Sequence, residues 1–230
     1  LCARLGLKTD DWLGLYEALG VDYTGINPAY IGGNPYPEKP DRRINVLEGC
    51  YMRWVENKSG GYWDFCDFPL KDATDEMFET YPIPNPDDFD YESALNAAKT
   101  HAGRFALYAG GAGTPDIINS NGRIMGMEDV LIHFIEEDGA AMDFMHRRAK
   151  SQLETLARTL EICKGYMDFV WLGEDLGTQR TPMISLPLYR KVMKPIHKQF
   201  ADLAKSYGLP DLILLDVMMD GMDGFEFCKT

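Results

Sequence analysis

Residues 168–179 read DFVWLGEDLGTQ, a short apolar run that ends in two carboxylates and a glutamine. Its aromatic and β-branched side chains predict a buried strand over residues 168–172. Before it, residues 137–163 carry apolar side chains at steps of three and four, which predicts one long amphipathic helix. After it, Ser185 is placed to cap a further helix. A strand between two helices is typical of a parallel sheet with crossover helices.

The same alternation of strand and helix extends through the chain. Predicted strands begin near residues 22, 105, 168 and 212, which makes four in all. This pattern predicts an α/β fold with a parallel sheet, either a doubly wound sheet or a barrel. A complete (β/α)8 barrel has eight strands and typically about 250 residues, so we do not expect a complete barrel from these residues alone.

Three local patterns complete the predicted fold. Residues 44–57 and 61–67 flank a Ser-Gly-Gly turn and predict a β-hairpin insertion. Residues 81–90 contain three prolines and predict an extended segment. The small residues at 110–113 predict a tight turn between a strand and the next helix.

Composition limits the class of protein. The 230 residues are 45% hydrophobic and carry a formal net charge of -13, with 36 acidic and 23 basic side chains. This negative charge repels phosphate backbones, and the sequence contains no long run of basic residues. We therefore expect no nucleic-acid partner. No stretch of eighteen apolar residues is present, so we expect no membrane association. The first residue is leucine rather than methionine, from which we expect a processed or partial chain.

The cysteines indicate a reducing compartment. Five are scattered along the sequence, without the paired spacing that holds zinc. Free thiols in the cytoplasm are the expected state. The cysteines are Cys2, Cys50, Cys66, Cys163 and Cys228.

Several uncommon motifs occur together between residues 1 and 208. They are YEALGVDYTGINPAYIGG at 16–33, GGYWDFCDFPLKDA at 60–73, YPIPNPDDFDYE at 81–92, LYAGGAG at 107–113, and the long segment at 173–208 that begins GEDLGTQ. In this order they resemble the uroporphyrinogen decarboxylase family, and in particular its branch near the methylcobalamin:coenzyme M methyltransferases. The resemblance implies that this chain forms a partial (β/α)8 barrel of the uroporphyrinogen decarboxylase type. The activity that it implies is decarboxylation of a porphyrinogen-like acid or transfer of a methyl group with a corrinoid.

The resemblance also implies where the site lies, because barrel enzymes bind substrates at the carboxyl ends of their strands. Glu174 and Asp175 stand at such an end and are the catalytic candidates. If Val170 and Leu172 face inward, strand alternation turns Glu174 toward the pocket. Alternatively, these carboxylates hydrogen-bond the following loop and cap backbone amides.

Substrate-binding candidates accompany these carboxylates. Gly110 and Gly111 can bring backbone amides close to an anionic group, although a turn without a ligand is an equal alternative. Asn119 and Gln179 can bind a polar edge of the substrate. The expected partner is therefore a small molecule, either porphyrinogen-like or a methyl donor, and the oligomeric state is left open, with a homodimer as the candidate.

No cofactor is predicted. The related methyltransferases hold zinc through a His-x-Cys pair on the strand that follows the GEDLGTQ helix, and this chain has a different strand there. Its four histidines lie without a matched cysteine or histidine at ligand spacing. We therefore expect no metal site.

Residues 210–228 read PDLILLDVMMDGMDGFEFC. This stretch resembles the third strand and following loop of response-regulator receiver domains, and it places Asp216 at their phosphoacceptor position. It divides the chain into a decarboxylase-like domain, 1–208, and a receiver-like fragment, 209–230. Phosphoryl transfer to Asp216 would require Mg²⁺ and further acidic ligands. Residues 211–216 could also dock beside the strand at 168–172 as the next strand of the sheet.

Three functions remain open from the sequence. The first is an enzyme of the decarboxylase type, with activity impaired by the incomplete barrel. The second is a phosphorelay protein that receives phosphate at Asp216. The third is an inactive chimeric or truncated chain.

Overall fold

The computed structural model describes residues 2–58, 60–137, 139–178 and 180–210. Its helices are α1 (Trp12–Leu19), α2 (Asp75–Thr80), α3 (Tyr91–His101), α4 (Ile117–Met125), α5 (Met127–Glu136), α6 (Gly139–Ile162), α7 (Leu186–Val192) and α8 (Lys194–Ser206). Its strands are β1 (Tyr23–Gly25), β2 (Ala29–Tyr30), β3 (Arg43–Asn45), β4 (Cys50–Asn57), β5 (Gly60–Cys66), β6 (Phe89–Asp90), β7 (Ala106–Pro115) and β8 (Phe169–Gly173).

A parallel sheet lies at the centre of the described residues, with the strand order β1-β7-β8. Both pairings are parallel, and the connections between the strands contain helices. The predicted mixed α/β class is therefore confirmed. This sheet is open, and the described strands do not form a closed barrel. The predicted strand near residue 212 lies outside the described residues.

One face of the sheet packs against helices. Leu107 of β7 is fully buried with Ala94 and Ala98 of α3. Val170 and Leu172 of β8 pack against the main core, to which α4 to α8 contribute buried side chains. The alternating residues Tyr108 and Trp171 lie on the opposite face, where their ring centroids are 5.2 Å apart.

The other two sheets are antiparallel. Strands β3, β4 and β5 form one of them, and β2 pairs with β6 in the other. The predicted hairpin is present as β4 and β5. The prediction of one strand over residues 44–57 is wrong, because the chain turns back at Gly49, whose φ of 72° is left-handed, and separates β3 from β4.

Residues 110–113 differ most from their predicted structure. The predicted turn at residues 110–113 is wrong, because β7 continues through it to Pro115 and pairs with β8. The register shifts between Gly111 and Pro115, so the extra residues form an irregularity within the strand. Glycine is required at 110, since a Cβ there would lie 2.4 Å from the Trp171 carbonyl oxygen.

Helix predictions are mostly confirmed. The long helix α6 covers nearly all of the predicted residues 137–163, and the Ser185 side chain accepts a hydrogen bond from the Leu188 amide as the N-cap of α7. The single helix predicted after Ser185 is interrupted at Met193, before Pro195 in the first turn of α8. The extended segment 81–90 includes a short 3-10 helix, Pro86–Asp88. No helix in the described ranges is long and apolar enough to span a membrane.

Candidate functional site

A cavity of about 360 Å³ opens at the carboxyl ends of β1 and β7. Asn27, two residues beyond β1, faces Gly110 of β7. Its side-chain amide donates to the Gly110 carbonyl over 2.9 Å and accepts from the Gly110 amide over 3.0 Å. Asn27 thus continues the pairing of the two strands. Gly110, Gly111 and Gly113 supply the backbone edge of the cavity.

Helix α6 forms one wall of this cavity. Residues spaced three and four apart on the helix face inward, as one side of a helix must. The polar members are Arg148, Ser151, Gln152, Thr155 and Thr159. The opposing walls are largely apolar, with side chains of Pro28, Leu47, Ile83, Pro84 and Phe89. A mainly apolar cavity with a few polar groups is typical of small-molecule sites.

Most hydroxyl and amide donors of the α6 wall are already engaged. The Ser151 hydroxyl donates to the Pro84 carbonyl, and the Thr155 and Thr159 hydroxyls donate to carbonyls one turn earlier in the helix. The Gln152 amide donates to the Gly113 carbonyl over 3.4 Å. These bonds tie α6 to the end of β7 and to the segment before α3.

Arg148 differs from these neighbours. Its residue is only 9% exposed, and its Nη1 atom is buried without a hydrogen-bond partner. The guanidinium lies 5.7 Å from the centroid of the Phe144 ring. Burial lowers the pKa of Arg148, while the negative charge of Glu48 opposes that effect. The cavity therefore contains a buried cationic group with an unfilled donor.

Burial also shifts the pKa values of the ionisable side chains around Arg148. It raises the pKa of Cys50 and of Tyr36 to about 12, and it raises the pKa of Tyr81 as well. Both tyrosine hydroxyls donate to backbone carbonyls, Tyr36 to Pro82 and Tyr81 to Gly49. These thiol and phenol groups are consequently neutral near pH 7.

Glu48 also lines the cavity, but its charge is paired. Arg123 donates to the Glu48 carboxylate over 2.8 Å, and its other terminal nitrogen lies 3.4 Å from Asp116. Asp116 is 3% exposed, and burial raises its pKa to about 6 in spite of the Arg123 charge. Arg123 thus links the cavity to the start of α4.

Glu174 and Asp175 form a separate cluster at the end of β8. The Glu174 carboxylate accepts from the Ile117 and Ile118 amides, over 2.7 and 3.1 Å, at the N-terminus of α4. It also lies 3.1 Å from His197 Nε2. Because Val170 and Leu172 face the helices, strand alternation turns Glu174 toward the helices as well. The condition under which Glu174 would face the pocket is therefore not met, and the contacts of Glu174 are those of the capping alternative.

Asn119 lies beside this cluster. Its side-chain amide donates to the Asp175 carboxylate over 2.8 Å. The structure therefore brings together Glu174, Asp175 and Asn119, whereas Gly110 and Gly111 lie at the cavity. The catalytic and substrate-binding roles of these residues stay predictions. Gln179 and Asp216 lie outside the described residues.

The sequence predictions did not include Arg148. A signal was present, since Arg148 follows Phe144 and Met145 by four and three residues on the buried stripe of α6. An arginine on a buried stripe is unusual, because arginine is seldom fully buried unless paired.

Comparison with known proteins finds no match among family models, curated proteins or solved structures. Among the described residues, no group of three or more His, Cys, Asp or Glu side chains is placed to hold a metal ion.

Proposed function

We propose that this chain is an enzyme unit of the uroporphyrinogen decarboxylase type, folded as a partial (β/α)8 barrel, that binds a porphyrinogen-like acid. The observation that carries the proposal is the cavity at the carboxyl ends of β1 and β7. Parallel-sheet enzymes bind substrates at that edge. The order β1-β7-β8 and the intervening helices support the barrel assignment. The aromatic face with Tyr108 and Trp171 would then line the barrel interior.

Decarboxylation is the favoured reaction because Arg148 gives the cavity a positive charge. The reaction breaks the bond between a carbon and its carboxylate, releases CO₂ and delivers a proton to that carbon. Glu174 and Asp175 do not line the cavity, and they are proposed to steer the proton from the neighbouring strand end of β8. Gly110 and Gly111 are proposed to form the backbone edge that faces the substrate, with the Gly110 amide held by Asn27. Asn119 and Gln179 are proposed to bind its polar edge. Corrinoid-linked methyl transfer is the competing reaction of the same resemblance, and the assay below includes it.

The experiment blocks the cavity without straining the backbone. A Cβ added at Gly113 meets no atom within 4 Å, so Gly113→Leu extends a side chain from the cavity edge into open space. Gly33→Leu is the matched control, because Gly33 is equally open and does not line the cavity. We expect the original chain and Gly33→Leu to bind a porphyrinogen acid and release CO₂, and Gly113→Leu to do neither.

Two outcomes contradict the proposal. One is the absence of both porphyrinogen binding and CO₂ release in a folded chain. The other is equal binding and turnover by Gly113→Leu and the original chain. Parallel incubation with methylcobalamin and a small thiol reveals methyl transfer instead of decarboxylation. In that reaction the thiolate takes the methyl group, the Co–C bond breaks to leave cob(I)alamin, and the absorbance of methylcobalamin is lost.

A further inference from the structure

Arg148 is held in the cavity wall without a direct ionic partner on its Nη1 atom. The residue is 9% exposed, and Nη1 is buried and unbonded. A buried charge is costly unless an opposite charge or hydrogen bonds compensate it. Since Arg148 lines a cavity, an anionic group of a ligand can supply the opposite charge and the hydrogen bond that the protein does not provide.

The other charged side chain that lines the cavity does not prevent an anion from binding. Glu48 is the acidic side chain of the lining, and Arg123 already pairs with it over 2.8 Å. The wall hydroxyls of Ser151, Thr155 and Thr159 donate to backbone carbonyls and are not free to hold a ligand by donation. Recognition of a charged ligand group therefore depends on the guanidinium.

The walls and the volume limit the rest of the ligand. Pro28, Ile83, Phe89 and Leu156 offer apolar surface on which a flat ring can pack. A volume of about 360 Å³ is near the lower end of small-molecule sites, which run from ~300 to ~1,000 Å³. This space suits one carboxylate-bearing ring, either a single-ring acid or one ring of a porphyrinogen-like acid whose other rings lie outside the cavity.

We propose that Arg148 is an anion-binding residue and that the cavity encloses one carboxylate-bearing ring of its ligand, with the carboxylate on the guanidinium and the ring against the apolar walls. This inference rests on the proposed function in that both use the same cavity. It goes further in assigning the recognition to Arg148 and in limiting the enclosed part of the ligand to one ring. A guanidinium favours a carboxylate because its planar donors match the two carboxylate oxygens.

The test compares benzoate with benzamide, which has nearly the same shape but no charge. Binding of each to the full chain is measured by calorimetry, together with the melting temperature of each variant. The variants are Arg148→Met, which keeps the length of the side chain without its charge, and Arg148→Lys, which keeps the charge without the planar fork. Arg158→Met is the control, since Arg158 lies on α6 but pairs with Asp87 and Glu154 outside the cavity lining.

We expect the original chain and Arg158→Met to bind benzoate at least roughly tenfold more tightly than benzamide. Arg148→Met should lose this preference, and Arg148→Lys should keep part of it. Without ligand, Arg148→Met should melt no lower than the original chain, because the substitution removes an uncompensated buried charge. A purely structural arginine would instead lower the melting temperature and leave the benzoate preference unchanged.

Failure of this inference is distinguishable from failure of the proposed function. Equal affinity for benzoate and benzamide, or no benzoate binding, refutes the anion site even if porphyrinogen turnover is observed. A preference for benzoate that depends on Arg148, without any porphyrinogen or methylcobalamin reaction, supports the anion site and refutes the proposed function. If Arg148→Met does not fold, the partial preference expected of Arg148→Lys decides the question.

Discussion

Glu174 joins the end of β8 to the N-terminus of α4 and to His197 on α8. Its side chain is 8% exposed, so the two helix amides that it accepts from have little access to water. Removing the carboxylate in Glu174→Ala should lower the free energy of unfolding by roughly 1–3 kcal/mol, since buried donors would lose their acceptor. Urea unfolding measures this change.

Asp175→Ala is the matched control for Glu174. Asp175 is exposed and bonds the side chain of Asn119 rather than a helix amide. We expect it to change the unfolding free energy by about 0.5 kcal/mol or less. If Glu174→Ala is as stable as Asp175→Ala, the capping role of Glu174 is wrong.

Asp116 makes stability depend on pH. Burial raises its pKa from 3.8 to about 6, and the nearby Glu174 carboxylate adds to the rise. Between these values the folded chain retains a proton that the unfolded chain has released. The contribution of Asp116 to stability is therefore full below about pH 4 and is lost as the pH rises through 6. At about 1.4 kcal/mol for each unit of pKa difference, the loss amounts to at most about 3 kcal/mol.

Asp116→Asn isolates this effect. Asparagine tolerates the left-handed φ of 45° at this position and has no titrating proton. The unfolding free energy of the original chain should fall relative to that of Asp116→Asn between pH 4 and pH 6. Parallel pH profiles for the two chains would contradict the raised pKa.

At the scale of elements, Gly110 shows why β7 continues through residues 110–113. Its φ is 88°, and an added Cβ would lie 2.4 Å from the Trp171 carbonyl oxygen of β8. Gly110→Ala should lower the free energy of unfolding by about 2–3 kcal/mol, because it combines a left-handed φ with a backbone clash. Gly113→Ala is the control with open space at its Cβ, and it should change stability little. Equal unfolding midpoints for the two variants would show that β7 and β8 do not pack this closely.

Local periodicity explains which elements the sequence could predict. Helix α6 repeats its apolar positions over six turns, and that signal depends only on nearby residues. The path of residues 110–113 depends instead on β8, about sixty residues later, because pairing there extends the strand. A glycine-rich stretch alone is compatible with a turn or with close strand packing, so the sequence favoured the commoner structure.

The candidate site was predictable only in part for the same reason. Gly110 and Gly111 were found because glycine near a strand end is a local signal. Arg148 lies on a different element, and its burial results from the packing of α6 against segments far away in sequence. The orientation of Glu174 likewise depends on which face of β8 the helices cover.

At the scale of the whole molecule, the two resemblances predict different chemistry. The cavity lies within residues 1–208, the part of the chain on which the decarboxylase resemblance rests, whereas the phosphorelay alternative rests on Asp216, outside the described residues. Phosphoryl transfer to an aspartate requires Mg²⁺, further acidic ligands and charge neutralisation of the phosphate. The receiver-like match begins at residue 209, and the residues before it resemble a different family, so we do not expect them to supply the acidic ligands that a receiver domain takes from an earlier strand.

We therefore expect no stable phosphorylation of Asp216. After incubation of the full chain with acetyl phosphate and Mg²⁺, intact-mass measurement should show no added phosphoryl group, and Asp216→Ala should give the same spectrum. Uptake of one phosphoryl group by the original chain but not by Asp216→Ala would contradict this expectation and favour the signalling function. Because Asp216 is remote in sequence from Arg148 and Gly113, that result would leave the benzoate and porphyrinogen measurements to decide the role of the cavity independently.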